Sequence, residues 1–116
     1  MEYSEYLPHI NVAEGKTRVM NNLKLYTSLL GRFKGRDMTN DLLASIKDGD
    51  KIKAAQHAHA LRGTAANLGF TVLYGITEEI ETLCKKDEDC KHLCDALDAA
   101  MTALDDAIMA FSATQN

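Results

Sequence analysis

Residues 54–70 read Ala-Ala-Gln-His-Ala-His-Ala-Leu-Arg-Gly-Thr-Ala-Ala-Asn-Leu-Gly-Phe. Wound as a helix at 100° per residue, this segment acquires two faces of different kind. Ala54, Ala58, Leu61, Ala65 and Leu68 fall within about 80° of one another, a narrow apolar stripe suited to a bundle core. His59 lies across the wheel from that stripe and is expected to face solvent. Arg62, Gly63 and Ala66 follow it on its own face. A glycine inside a helix costs roughly 0.5–1 kcal/mol relative to alanine, so Gly63 in an alanine-rich helix needs a reason. The inferred reason is access, with something bulky approaching His59 over Gly63.

Outward from this segment the chain reads as further helices. Asp48-Gly49-Asp50 is a turn, and Asp50 can cap a helix over 51–68 that Gly69 stops. That helix is about 27 Å long at 1.5 Å per residue. The next, over 71–86, carries Leu73, Ile76, Ile80 and Leu83 on one face, with Thr77 and Glu81 beside it. Lys85-Lys86 at its end oppose the negative pole of the helix dipole. After an Asp87-Glu88-Asp89 turn, Leu93, Leu97, Ala100, Met101, Leu104, Ile108 and Phe111 keep 3-4 spacing for a last core helix, with Ser112 to Asn116 expected to fray.

Upstream, Leu23, Tyr26, Leu30 and Phe33 are helically spaced, and either Asn21 or Asn22 can cap them. Lys34-Gly35-Arg36-Asp37 interrupts the pattern. Thr39 or Asn40 is then expected to recap a segment bearing Leu42, Leu43 and Ile46, giving two helices in line or one broken near Gly35. A short helix over 11–19 precedes them, and residues 1–10 are poorly patterned. Short loops between long amphipathic helices imply antiparallel neighbours. The expected architecture is all-α: an up-down-up-down four-helix bundle with a short extra N-terminal helix, one domain over 1–116.

The bulk numbers agree with one soluble domain. At 116 residues a single core buries about two-thirds of the unfolded surface. One proline and seven glycines leave little room for a turn-rich β fold. A net charge of −4 argues against a nucleic-acid partner, which calls for a basic face. No apolar run approaches the roughly 20 residues of a membrane span, and the acidic N-terminus lacks signal-peptide character. A cytoplasmic monomer is expected, either standing alone or as part of a larger kinase, and three cysteines, an odd number, fit reduced thiols there.

His59-Ala-Leu-Arg62-Gly63-Thr64-Ala65-Ala66-Asn67-Leu68-Gly69 resembles the signature of histidine-containing phosphotransfer (HPt) domains. In that family a histidine precedes Lys or Arg by three residues, then come Gly, a small residue and a second Gly. The resemblance extends to Leu25-Tyr26, Leu29-Leu30 and Phe33 upstream and to Leu73 and Ile80-Glu81 downstream, about residues 12–110. Arg62 stands where Lys is commoner, and Thr64 where Ser or Ala is usual.

The resemblance implies a phosphorelay intermediate that takes a phosphoryl group on His59 from a receiver-domain aspartate and passes it on. An inert helical module that only binds receivers is the alternative. A lone bundle offers no Gly-rich phosphate loop and no acidic pair for Mg²⁺, although phosphoryl transfer rests on positioning and charge stabilisation. In the family the response-regulator receiver supplies the metal and the catalytic groups, so this chain needs no cofactor and has no kinase activity of its own. A hybrid sensor histidine kinase is a further implied partner. Arg62 is expected to stabilise incoming charge. Glu81 lies where relatives place a Glu or Gln facing the histidine, and such a group bonded to Nδ1–H leaves Nε2 free to attack. On the wheel, Ile52, Ala55, Gln56, Ala66 and Phe70 surround His59. Gln56, Ala66 and Phe70 are expected to touch the receiver, together with the Val19–Tyr26 region; for Phe70 the alternative is that it turns inward after Gly69 and caps the bundle.

Other candidates are weaker. His57 sits near the core stripe, with Ala60 and Leu61 where the motif wants a cation and glycine, and reads as a structural histidine. Cys90, His92 and Cys94 with distant Cys84 make no recognisable four-ligand zinc pattern. A kinase dimerisation helix lacks support because Ala60 follows His59 and the only proline is Pro8. A di-iron bundle lacks its Glu-x-x-His pairs.

Overall fold

The computed structural model describes residues 3–115, and its regular elements are all helical. Six α-helices follow in order: α1 (Val12–Thr17), α2 (Leu23–Arg32), α3 (Gly35–Lys47), α4 (Lys51–Leu68), α5 (Thr71–Lys85) and α6 (Cys94–Ala113). Short 3-10 turns stand at Ser4–Tyr6 and Lys91–Leu93. The four long helices close a ring in which α3 meets α4, α4 meets α5, α5 meets α6 and α6 returns to α3. The body measures 43 × 23 × 23 Å, elongated along the bundle. No helix among the described residues is long and apolar enough to cross a membrane.

Local chemistry explains most of the boundaries. Asn22 Oδ1 accepts from Leu25 N–H at 3.0 Å and starts α2, and Asp50 Oδ1 accepts from Lys53 N–H at 3.0 Å and starts α4. Gly69 ends α4 in the left-handed conformation, φ +79°. Its α-carbon is equally constrained, because an added Cβ would meet the Asn11 carbonyl oxygen of the segment leading into α1. The buried residues of α4 are Ala54, Ala58, Leu61, Ala65 and Leu68, the stripe read from the wheel.

Two features depart from the sequence reading. The helix after the break begins at Gly35 rather than at Thr39 or Asn40, and Lys34 ahead of it makes no side-chain cap. Gly35 itself lies against the Phe33 ring and beside Met101, where a side chain has no room. The poorly patterned N-terminus is also part of the core. Tyr6 and Ile10 are buried, and the rings of Tyr3, Tyr6 and Tyr26 all stand edge-on to Phe111. With Phe111 so held, α6 stays helical through Ala113, while Asn116 lies outside the described residues.

Candidate functional site

α4 carries His59 near its middle, on the face away from the core, and the imidazole side chain is 65% exposed. Across the groove, α5 presents Glu81, which is only 5% exposed. His59 Nδ1 lies 2.9 Å from Glu81 Oε2. Lys85 Nζ, one turn further along α5, lies 2.8 Å from the same oxygen. Arg62 Nε lies 2.8 Å from Glu81 Oε1, but its N–H is not aligned on that oxygen, so the contact is an ion pair without a hydrogen bond.

These contacts determine protonation. Burial pushes the Glu81 carboxyl up, but hydrogen bonds from Lys85 and His59 and the charges of Arg62 and Lys85 outweigh it, and the net shift is downward. Glu81 is therefore an anion that needs donors. Arg62 Nη2 also stands 3.1 Å from His59 Nδ1, and one ring nitrogen cannot both donate to the carboxylate and accept from the guanidinium. The buried carboxylate decides the assignment: Nδ1 carries the proton and donates it to Glu81, and Arg62 lies alongside. In the neutral ring Nε2 then holds the lone pair, and it has no hydrogen-bond partner among the described residues. Arg62 is held in its charged form by the Tyr74 side chain and by Glu81. With a neutral imidazole, the two cations and one carboxylate leave the site with one net positive charge.

Gly63 follows Arg62 on the exposed face, and a Cβ built on it meets nothing within 4 Å. The glycine therefore serves no internal close contact, and the space beside His59 is open. A shallow cleft of 380 Å³ at the site is lined by Ala55, Gln56, His59, Glu81 and Lys85. Ile52 on the same face is 76% exposed. Ala66 is half-buried and borders a separate cleft with Arg18 and Tyr74.

Phe70, expected on the docking face, is a correction: it is fully buried, 0% exposed, with its ring 4.9 Å from Phe33. The left-handed Gly69 breaks the helical phase, so a wheel extended past it no longer describes where Phe70 points. Tyr26, within the region also expected to dock, is likewise in the core, where its hydroxyl donates to the Leu68 carbonyl. His57 stands apart, in a cleft with Asp41, Asp48, Asp50 and Lys53. The sequence reading missed Lys85 as a member of the site. The signal was the Glu81-to-Lys85 spacing of four, in the favourable acid-before-base order. Among the described residues, no group of three or more His, Cys, Asp or Glu is placed to hold a metal ion.

The family model described as "Hpt domain" matches residues 34–107, covering α3 through most of α6. No curated protein and no solved structure matches the chain.

Proposed function

Since the chain belongs to the Hpt domain family, the phosphocarriers of histidine phosphorelays, we propose that His59 Nε2 takes a phosphoryl group from the aspartyl phosphate of a response-regulator receiver and passes it to another acceptor. One observation carries this reading: Nδ1 is 2.9 Å from a buried carboxylate while the ring stays exposed. That hydrogen bond presents Nε2 as the nucleophile. The Nε2 lone pair forms the bond to phosphorus as the bond to the aspartyl oxygen breaks, and the aspartate leaves as a carboxylate. The imidazole acquires positive charge in this step. Glu81, already in place against Nδ1–H, balances it without reorganisation. Transfer onward is the same step reversed.

Arg62 and Lys85 favour the approach of the anionic phosphoryl group, and Gly63 leaves room for the receiver. Ile52, Gln56 and Ala66 form the rest of the docking face. Magnesium and the groups that activate the acyl phosphate belong to the receiver, so this chain acts as a carrier and not as a kinase.

Incubation with a phosphorylated receiver tests the reading. Acid-labile phosphate should appear on wild type and on His57→Gln, and not on His59→Gln. Receiver binding without any labelling of wild type would make the chain a non-transferring interaction module instead.

A further inference from the structure

Beyond the His59 face, α5 ends in a second reactive arrangement. Cys84, on the last turn of α5, and Cys90, in the turn before α6, have their sulfurs 3.7 Å apart. Both side chains are buried, at 6% and 4% exposure, yet both line a surface cleft of 240 Å³ together with Ile46, Asp50 and Lys51. No metal explains the pair, because no third ligand is placed to complete a site among the described residues. Cys94, half-buried at the start of α6, makes no comparable sulfur contact there.

A disulfide needs its sulfurs about 2.05 Å apart, so the remaining approach is under about 2 Å. The segment that has to give is the turn between them, which is bonded back onto α5 through Asp87 N–H to the Cys84 carbonyl and Glu88 N–H to the Leu83 carbonyl. Asp87, Glu88 and Asp89 are exposed, and the turn is held to α4 mainly through Lys51 Nζ, which donates to the Asp87 carbonyl at 3.0 Å.

We propose that Cys84 and Cys90 form an oxidisable dithiol, closed by a small disulfide compound into a bridge that staples the last turn of α5 to the turn before α6. The Cys84 thiolate attacks one sulfur of the reagent, its S–S bond breaks, and one small thiolate leaves. The Cys90 thiolate then attacks the Cys84 sulfur of the mixed disulfide, and the second small thiolate leaves. The two protein thiols lose two electrons and two protons, and the reagent gains both as two thiols. Burial, and then Cys84 itself, push the Cys90 thiol up to about 11. Its thiolate is scarce at neutral pH, and closure relies on the proximity of the two sulfurs. The bridge would sit on the helix that carries Glu81 and Lys85.

The test uses the reduced, folded chain with oxidised glutathione as the probe, followed by alkylation of free thiols, intact mass and a non-reducing tryptic map. Cleavage at Lys85, Lys86 and Lys91 places Cys84, Cys90 and Cys94 in different peptides. The expected result is loss of two free thiols and two hydrogens, with the Cys84 peptide joined to the Asp87–Lys91 peptide. Cys94→Ser should give the same cross-link and Cys90→Ser none. A persistent glutathione adduct, a bridge involving Cys94, a covalent dimer, or three free thiols throughout would each overturn the proposal. These outcomes are independent of whether His59 accepts phosphate.

Discussion

Nδ1 of the exposed His59 lies 2.9 Å from Oε2 of the buried Glu81, so a solvent-facing imidazole is oriented by a carboxylate that solvent scarcely reaches. In the proposed transfer, exposure of the ring serves the receiver and burial of the carboxylate serves the precision of the ring. The contact also links α4 to α5 at the centre of the site.

Removing that carboxylate should slow transfer more than it harms the fold. A hydrogen bond to a charged group contributes about 1.5–3 kcal/mol, so Glu81→Leu is expected to slow labelling roughly tenfold to a hundredfold. Glu81→Gln keeps an acceptor for Nδ1–H and should fall between Leu and wild type. Single-turnover transfer from a phosphorylated receiver measures both. Equal rates for Leu and wild type would exclude an orienting role.

Acid should weaken the fold through the same residue. The folded-state pKa of Glu81 is lowered, so its contribution is complete above the unfolded value of about 4.3 and is lost as pH falls through the folded value. Thermal midpoints from pH 7 to pH 3 should show wild type losing its advantage over Glu81→Gln below about pH 4.3. A gap between the two proteins that stays constant down to pH 3 contradicts the assignment.

Gly63 separates fold from access. Gly63→Ala should raise stability by about 0.5–1 kcal/mol, because the helix gains propensity and the added methyl meets nothing. Gly63→Leu should leave the melt nearly unchanged and slow transfer by blocking the approach to His59. Unfolding of Gly63→Leu would instead assign the glycine to internal packing.

Phe70 and Ile52 are expected to behave oppositely. Phe70→Ala empties a fully buried site against Phe33 and should cost about 3–5 kcal/mol of stability, with receiver affinity unchanged for the folded fraction. Ile52→Ser alters an exposed side chain and should weaken receiver binding by about 1 kcal/mol or more with the melt unchanged. Calorimetric melts beside receiver titrations distinguish the two.

The sequence by itself determined what depends on near neighbours in the chain. The stripe from Ala54 to Leu68 follows from helical period alone, and the five residues so chosen are the ones α4 buries. The cap at Asp50, the stop at Gly69 and a cap within the Asn21-Asn22 pair follow from side chains and backbone conformations within a few residues of each helix end, and the structure takes Asn22. His59, Arg62 and Gly63 share an outward face for the same reason, and the family signature lay in those same residues. Glu81 was named through that likeness, not through any contact legible in the chain.

Tertiary structure alone decided the rest. Glu81 is buried because α5 packs on α4 there, which brings Arg62 and Lys85 against its two oxygens. Phe70 faces inward because a left-handed glycine resets the chain direction and Phe33 waits on the far side. Position 35 takes a glycine because Phe33 and Met101 of α6 occupy the space a side chain would need. In each case a deciding partner, Glu81 for His59, Phe33 for Phe70 and Met101 for Gly35, comes from elsewhere in the chain and is brought close by the packing of the helices. A helical wheel gives the angle at which a side chain leaves its own axis, and it carries no information about what stands opposite.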